Sequence, residues 1–356
     1  MIPITRVGAT LDELLAQRGV SRRSFLKFCT AMASMMALPP SAVPAFAQAL
    51  AGARRPSVIW LSFQECTGCA ESLMRSDATT LEQLIFNLVS LDYLDLLQAA
   101  SGTAAEDARA RAMAESYGKY LLLVDGSVST ADGGVYSTAG GKSNHDVLMD
   151  AAKGAAAVIA VGTCAAFGGI PKAAPNPTGA VGVSELIKDK PVINISGCPP
   201  VPVVLTGVLA QYLAFGRIPD LDALGRPKAF FGDTIHDRCY RRPFYDEGKF
   251  AKTFDDEGAR NGWCLYELGC KGPTTYNSCA TLKWNAGTSF PIQSGHGCLG
   301  CSEPDFWDAG SFYNPIPVGA WGSAATVAAA GAAGAALGAG AALLARRHQV
   351  EVEKKS

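Results

Sequence analysis

The 356-residue sequence is short of several features that would assign a chain to a class at once. Its formal net charge is only −1, so nothing in the charge balance indicates a nucleic-acid partner. Charged residues make up 18% of the chain against 48% hydrophobic residues, which excludes wholesale disorder, collagen and a coiled coil. No internal repeat is evident. Histidine is scarce, with 4 residues, but the 11 cysteines are more than core packing needs, so disulfides, a metal or a cofactor must be considered.

The N-terminal segment has the pattern of a twin-arginine export signal. Arg22-Arg23 precedes Phe25-Leu26-Lys27, no charge occurs over residues 28–46, and Ala45-Phe46-Ala47 offers a small-x-small cleavage site. We therefore expect residues 1–47 to be a signal peptide that is removed together with Cys29, leaving ten cysteines. This route exports folded proteins, usually because a cofactor has been inserted in the cytoplasm.

A second apolar segment lies near the other end of the chain. Residues 320–345 carry no charge and include 14 Ala and 5 Gly, and Arg346-Arg347 follows directly. As a helix, this segment would span roughly 39 Å, enough for a hydrocarbon core of about 30 Å. The sequence thus predicts a transmembrane anchor over 320–345 and a cytoplasmic tail over 346–356, because arginines flanking a span favour the cytoplasmic side. An Ala/Gly-rich linker is the alternative.

Between these ends, residues 56–231 alternate strand-like and helix-like segments. Apolar runs typical of buried parallel strands cover residues 58–62, 121–124, 158–161 and 192–195. Helix-compatible stretches cover residues 81–88, 104–116, 144–153 and 201–215. This alternation predicts an α/β fold with a doubly wound parallel sheet. Beyond Gly232, the sequence is dominated by Gly, Pro, aromatic residues and Cys. Burial of apolar side chains alone hardly offsets the conformational entropy that such an irregular region loses on folding. Bound metal centres are the obvious candidate for the missing stabilisation.

Four cysteines follow three of the predicted strands. Cys66 and Cys69 follow the first strand, Cys164 the third and Cys198 the fourth. Because the carboxyl ends of parallel strands line one crevice, we expect these four thiols to meet there. Four thiols are the ligand set of an iron–sulfur cluster. Two disulfides or a tetrahedral zinc site would use the same residues, and both alternatives stay open.

The remaining six cysteines fall in the irregular half, together with a histidine. These residues are His236, Cys239, Cys264, Cys270, Cys279, Cys298 and Cys301. His236 and Cys239 have the H-x-x-C spacing of metal ligands. Neither C-x-x-C pair of the chain is followed by His, which excludes attachment of a c-type haem. Ten cysteines and one histidine can be divided into two sets of four ligands and one set of three.

These motifs together resemble the small subunit of a membrane-associated, periplasm-facing [NiFe] uptake hydrogenase. The matching segments are 65–69, 162–169, 197–200, 236–239, 269–273 and 294–304, and the resemblance extends over residues 21–345. It implies a flavodoxin-like domain over 48–231, followed by an irregular iron–sulfur domain over 232–319.

The resemblance also implies a role for each set of ligands. Cys66, Cys69, Cys164 and Cys198, the proximal set, would bind a [4Fe–4S] cluster. His236, Cys239, Cys264 and Cys270, the distal set, would bind a second [4Fe–4S] cluster near the surface. Cys279, Cys298 and Cys301, the medial set, would bind a [3Fe–4S] cluster between the other two.

In this family H2 is cleaved in a separate large subunit, and the small subunit transfers the electrons. Since every cysteine of the mature chain belongs to one of the three sets, no residue of this chain is expected to be catalytic. The implied partners are the hydrogenase large subunit and a membrane cytochrome b or a similar quinone-linked subunit. With the signal and the anchor, the implied location is the periplasmic side of the bacterial inner membrane.

Three positions refine these expectations. Oxygen-tolerant relatives carry two extra cysteines where this chain has Gly68 and Gly169, so an ordinary proximal cluster and inactivation by O2 are expected. Pro291 stands where a fourth medial ligand would sit, as expected for a [3Fe–4S] cluster. Glu65 and Glu71 flank the first motif and receive no role.

Two alternatives from other classes remain. One is a flavin-binding electron carrier, although Cys66-Thr67-Gly68-Cys69 occupies the place of its phosphate loop. The other is a structural protein stapled by zinc or disulfides.

Overall fold

A five-stranded parallel sheet lies at the centre of the part of the chain that the structure describes. The computed structural model describes residues 22–36, 38–51, 55–76, 84–310 and 312–314. In chain order the strands are β1 (Ser57–Ser62), β2 (Ser90–Leu94), β3 (Tyr120–Asp125), β4 (Thr138–Ala139), β5 (Lys142–Ser143), β6 (Ala155–Val161) and β7 (Val192–Ile195). Strands β4 and β5 form a separate hairpin. All positions of β3 are buried, which is typical of a parallel sheet covered on both faces.

The order of strands in the sheet is β2-β1-β3-β6-β7, and every pairing is parallel. Counted along the chain, this is the 2-1-3-4-5 order of flavodoxin-like doubly wound folds. The winding direction reverses between β1 and β3, where Ser62 pairs with Asp125. Such a reversal opens a crevice at the carboxyl ends of the two strands. The prediction of an α/β fold with a parallel sheet is confirmed.

The four predicted strands lie within β1, β3, β6 and β7, whereas the sequence does not predict β2. Strand β2 is at the edge of the sheet, and the exposed Asp92 interrupts its apolar pattern. An edge strand buries less than a central one, so its sequence carries a weaker signal.

Helices cover both faces of the sheet. They are α1 (Arg22–Met35), α2 (Val43–Ala51), α3 (Gly68–Met74), α4 (Gly102–Glu115), α5 (Asn144–Lys153), α6 (Gly162–Phe167), α7 (Gly169–Lys172), α8 (Val183–Leu186), α9 (Pro202–Phe215), α10 (Lys228–Phe231), α11 (Arg242–Asp246), α12 (Glu257–Arg260) and α13 (Cys279–Leu282). Successive side chains of β1 point to opposite faces, so Trp60 joins the core beneath α9 and Ile59 joins the core beneath α5.

The predicted helices agree with this arrangement. The segment 144–153 is α5, and the segments 104–116 and 201–215 correspond to α4 and α9. Of the segment 81–88, Leu84–Leu88 forms a π-helical turn, and residues 81–83 lie outside the described residues.

The two N-terminal helices pack against α9. Cys29 and Met32 of α1 and Phe46 of α2 are completely buried. A β-carbon at Gly207 of α9 would lie 3.2 Å from Met32 Cε, so the absence of a side chain there permits the close approach. The predicted cleavage point after Ala47 falls inside α2. The signal peptide over 1–47 stays a prediction.

Residues 232–310 contain only short helices and turns. Helices α11, α12 and α13 have at most five residues, and the 3₁₀ turns Tyr266–Leu268 and Gly272–Thr274 are the other helical elements. The region is attached to the sheet domain through Arg226, which pairs with Asp222 at 2.8 Å and with Glu303 at 3.0 Å. Residues through Asn314 belong to one compact unit. The domain boundary between residues 231 and 232 stays a prediction.

The predicted anchor over 320–345 and the tail over 346–356 lie outside the described residues. Among the helices of the described ranges, none combines the length and apolar character needed to cross a bilayer. The anchor therefore stays a prediction.

Candidate metal centres

The proximal set gathers at the carboxyl ends of three sheet strands. Cys66 and Cys69 lie where the chain passes from β1 into α3, Cys164 lies in α6 directly after β6, and Cys198 follows β7. Thr67, between the first two, has a left-handed conformation with φ of 66°, which turns the chain into α3. Cys66 is exposed and the other three are partly buried, so this set reaches the surface at Cys66.

Two glycines allow these thiols to approach the backbone closely. A β-carbon at Gly162 would lie 2.4 Å from the Cys69 Sγ, and one at Gly169 would lie 2.6 Å from the Cys164 Sγ. Both glycines have positive φ, at 86° and 55°, which other residues rarely adopt. The thiol of Cys69 thus lies against the turn that carries Cys164.

Hydrogen bonds join the loops that carry the set. The Thr163 N–H donates to the Gly197 carbonyl at 3.0 Å, and the Gly197 N–H donates to Thr163 Oγ1 at 2.8 Å. Ser72 of α3 donates to the Pro200 carbonyl at 2.7 Å. The structure therefore brings the four predicted residues together from loops that are far apart in sequence.

Cys69, Cys164 and Cys198 of the proximal set are electrostatically unfavourable as thiolates. Burial raises the pKa of Cys164 and of Cys198 to about 11 and that of Cys69 well above its usual value, and the neighbouring thiols and Asp125 add to the rise. A metal binding here would have to displace these protons, since the thiolate is the ligand. Its positive charge would offset the unfavourable burial of several thiolates.

Asp125, the last residue of β3, is a buried acid beside this set. It has no exposed surface, and neither carboxylate oxygen has a partner in hydrogen-bonding geometry. Burial raises its pKa to about 7, and the Cys69 thiol beside it acts in the opposite direction. Asp125 therefore places a potential negative charge next to the proximal thiols.

The distal set lines a small cavity in the irregular half. His236, Cys239, Cys264 and Cys270 all contribute to its wall. The His236 ring meets the Tyr245 ring edge-on, with centroids 4.5 Å apart. Burial, followed by the charge of Arg242, lowers the pKa of His236, so the imidazole is neutral at pH 7 and can offer a lone pair to a metal.

Burial also acts on the distal thiols. It raises the pKa of Cys264 to about 11 and that of Cys270 to about 12. Arg241 lines the same cavity and moderates the rise at Cys239 and Cys264. This set therefore combines three thiols with one neutral nitrogen donor.

The medial set lines a larger cavity of about 430 Å³. Cys279, Cys298 and Cys301 contribute to its wall, as does Pro291, so the proline faces the same space as the three thiols. Burial raises the pKa of Cys298 to about 12 and that of Cys301 to about 11. The three medial thiols and Pro291 are thus part of the wall of one cavity.

The three sets are linked in one order. Cys198 of the proximal set lines the medial cavity, and Thr163 donates a hydrogen bond to the Cys301 carbonyl. At the other side, the Cys298 N–H donates to the Cys270 Sγ at 3.2 Å. The sequence of contacts is therefore proximal, medial, distal, with the medial set between the other two.

The chemistry of the donors fits iron–sulfur clusters. Thiolates with one imidazole are soft ligands typical of such clusters and of zinc. All 11 cysteines are free thiols, so no disulfide staples the structure. Within the described ranges, no three His, Cys, Asp or Glu side chains lie close enough together to hold a single metal ion.

The two glutamates of the first motif differ in their surroundings. Glu71 is exposed and pairs with Arg75 at 2.6 Å, as expected for a surface carboxylate. Glu65 is half-buried, and burial raises its pKa, while a hydrogen bond from Thr67 at 3.4 Å lowers it.

Sequence reasoning misses two charged residues near the sets. Asp125 could have been found, because an acid that ends an apolar strand in a parallel sheet lies at the ligand-binding edge. Lys271 follows Cys270 directly and is only 3% exposed, and no sequence pattern distinguishes it from a surface lysine.

Comparisons with known proteins identify relatives for most of the chain. Residues 231–314 match the family of the C-terminal region of the NiFe/NiFeSe hydrogenase small subunit, and residues 66–212 match the family "NADH ubiquinone oxidoreductase, 20 Kd subunit". The uptake hydrogenase small subunit of Azotobacter vinelandii is 48% identical over 307 residues, which cover 86% of each chain. That of Afipia carboxidovorans is 49% identical over 304 residues, which cover 85% of this chain and 83% of the relative.

A solved structure shows the same likeness. A chain of the reduced, active NiFeSe hydrogenase from Desulfomicrobium baculatum superposes with a TM-score of 0.70 at 34% identity. The match covers 74% of this chain and all of that chain.

Proposed function

The chain belongs to the small-subunit family of the nickel–iron hydrogenases, and from that premise we propose which of its residues hold the iron–sulfur centres. The proximal set holds a [4Fe–4S] cluster, the distal set holds a second one with His236 as a ligand, and the medial set holds a [3Fe–4S] cluster. Bound clusters accept and release single electrons, which lets this subunit pass the electrons of H2 oxidation from the large subunit towards an acceptor.

The contact between the sets is the observation that carries this proposal. Thr163 and Cys198 connect the proximal set to the medial set, and the hydrogen bond from Cys298 to the Cys270 sulfur connects the medial set to the distal set. Ligands of unrelated structural metals would not need to adjoin one another in a row. A conducting path does need this, because electrons must pass between neighbouring centres.

The residues around each set have distinct tasks in this proposal. His236 supplies a neutral donor in place of a thiolate, which leaves the distal centre with less negative charge than four thiolates would give. Pro291 fills the position of a fourth medial ligand without offering a donor atom. Gly68 and Gly169 leave the proximal set with four thiols, and we expect the enzyme to be inactivated by O2.

Spectroscopy of the anaerobically purified complex with its large subunit tests the assignment. We expect a brown protein with acid-labile sulfide, whose oxidised form gives a [3Fe–4S] EPR signal that H2 removes. Cys279→Ser should abolish that signal, whereas Cys29→Ser, in the predicted signal, should leave it unchanged. A colourless zinc protein, a yellow flavoprotein, or a medial signal that survives Cys279→Ser would contradict the assignment.

We also propose that the protein is exported by the twin-arginine route and held on the periplasmic side of the inner membrane. The paired arginines, the cleavage site and the apolar segment 320–345 support this, and a membrane cytochrome b or similar subunit is the proposed acceptor. Replacing Arg22 and Arg23 by lysine should leave the protein in the cytoplasm. A chain ending at Gly319 should be released from membranes with its clusters, and its retention there after a salt wash would place the anchor elsewhere.

A further inference from the structure

Lys271 is a buried cation without a carboxylate partner in the part of the chain described. It is 3% exposed. Its ammonium lies 4.9 Å from the centre of the Phe312 ring and 3.5 Å from the Ala309 carbonyl oxygen. No Asp or Glu of the described residues forms an ion pair with it. Burying an unpaired charge is unfavourable, so something else must offset this cost.

The lysine lies against the turn that carries two medial cysteines. Its backbone N–H donates to the Cys298 carbonyl at 2.8 Å. A β-carbon at Gly300, between Cys298 and Cys301, would lie 3.2 Å from the Lys271 Cδ, so the aliphatic part of the side chain follows this turn. Burial lowers the pKa of Lys271, and a negative charge on Cys298, as in a metal-bound thiolate, would oppose that change.

Two other buried cations have different surroundings. Arg241, 7% exposed, lines the distal cavity and donates to the Trp263 carbonyl at 2.8 Å, whereas Arg226 belongs to the first half. Arg226, 4% exposed, is neutralised by Asp222 and Glu303. The charge of Lys271 instead remains available to the thiolates of the medial set. An ammonium in a poorly polarisable interior acts over several ångströms with little screening.

We propose that Lys271 is a positioning cation that stabilises the reduced medial centre and so raises its reduction potential. The inference rests on the proposed assignment of the medial set. Reduction adds one electron, and therefore one negative charge, to that centre. The ammonium attracts the added charge without transferring a proton or forming a bond.

The test is an anaerobic redox titration of the complete heterodimer, followed through the EPR signal of the oxidised medial centre. Lys271→Met keeps the length of the side chain and removes the charge, and it should shift the one-electron equilibrium towards the oxidised form by about tenfold, or about 59 mV. Lys271→Arg should retain a potential close to that of the wild type. Lys252→Met, at an exposed lysine of the same half, should leave the potential unchanged.

A second neutral variant keeps the test decisive if the Lys271→Met protein fails to assemble with its clusters. Lys271→Gln can keep a contact to the Ala309 carbonyl and should give the same shift as Lys271→Met. If both neutral variants lose the medial signal while Lys271→Arg keeps it, the charge is needed to retain the cluster rather than to set its potential, and the proposal is overturned. An unchanged potential in either neutral variant that retains the signal overturns it, whereas a wild type without a [3Fe–4S] signal instead contradicts the assignment of the medial set.

Discussion

The two halves of the described chain place their cysteines in different ways. In the first half, the sheet positions the ligands: Cys66, Cys164 and Cys198 follow strands whose apolar side chains would pack with or without a metal. In residues 232–310, short helices and turns position the ligands, and the apolar core there is small. A site can thus be built on a stable scaffold, or the metal can be part of what stabilises the scaffold.

The halves also differ in the buried charge beside their ligands. Asp125 lies next to Cys69 in the first half, and Lys271 lies next to the medial turn in the second. A negative charge disfavours an added electron and a positive charge favours it. With clusters bound as proposed, these two charges would both favour movement of electrons from the proximal centre towards the medial one.

Removal of iron should produce the largest difference in stability between the two halves. After anaerobic chelation, we expect amides of β1, β3 and β6 to keep their protection from hydrogen exchange, because their packing does not depend on metal. Amides of residues 232–310 should lose protection, since ligand binding stabilises their turns. Hydrogen exchange read by mass spectrometry measures both regions in one sample, and equal losses in the two halves would refute this difference.

Replacing one glycine in each half by alanine tests how closely the backbone packs against a ligand cysteine in that half. Gly162→Ala introduces a β-carbon 2.4 Å from the Cys69 Sγ at a φ of 86°, so we expect loss of the proximal cluster and destabilisation by at least about 2 kcal/mol. Gly272→Ala places its β-carbon 3.4 Å from the Cys270 Sγ, which is ordinary contact, and should be tolerated. Iron content and thermal unfolding report the result, and a stable, fully loaded Gly162→Ala protein would be the contrary outcome.

Adding a thiol to the irregular half should change a centre without unfolding it. Pro291→Cys supplies a fourth sulfur to the medial set, and we expect conversion to a [4Fe–4S] cluster with a lower potential. The [3Fe–4S] EPR signal should then disappear from the oxidised protein. Ser294→Cys, on the same loop but not lining that cavity, is the control that should retain the signal.

Neutralising the buried acid should give the smallest change. Asp125→Asn keeps the shape of the side chain and should raise the proximal potential by roughly 59 mV, a tenfold change in the one-electron equilibrium. The titration is made at pH 8, above the carboxyl pKa of about 7, so that the wild type carries the charge. Asp92→Asn, on the exposed edge strand, should have no effect. A lowered proximal potential in Asp125→Asn would reverse the assigned influence of this residue.

The sequence predicts the first half better than the second for a physical reason. A strand buried on both faces needs a continuous apolar run, so the sequence predicts β1, β3, β6 and β7. The location of Cys66, Cys164 and Cys198 at the carboxyl ends of strands follows from that prediction. The turns of residues 232–310 have no period, so grouping Cys264 with Cys270 rather than with Cys279 depended on a family resemblance. Burial of Lys271 depends on contacts with Phe312 and Gly300, which no local pattern encodes.

The hydrogen bond between Thr163 and Cys301 has a consequence for biosynthesis. These residues are separated by 138 positions, so the ribosome completes the strand ends of the proximal set well before it makes the turn that rests on them. The sheet has all its strands by then, but its crevice still lacks the neighbour that closes one side. The proximal site is therefore more open on the nascent chain than on the finished chain, where the turn at Cys301 covers part of it.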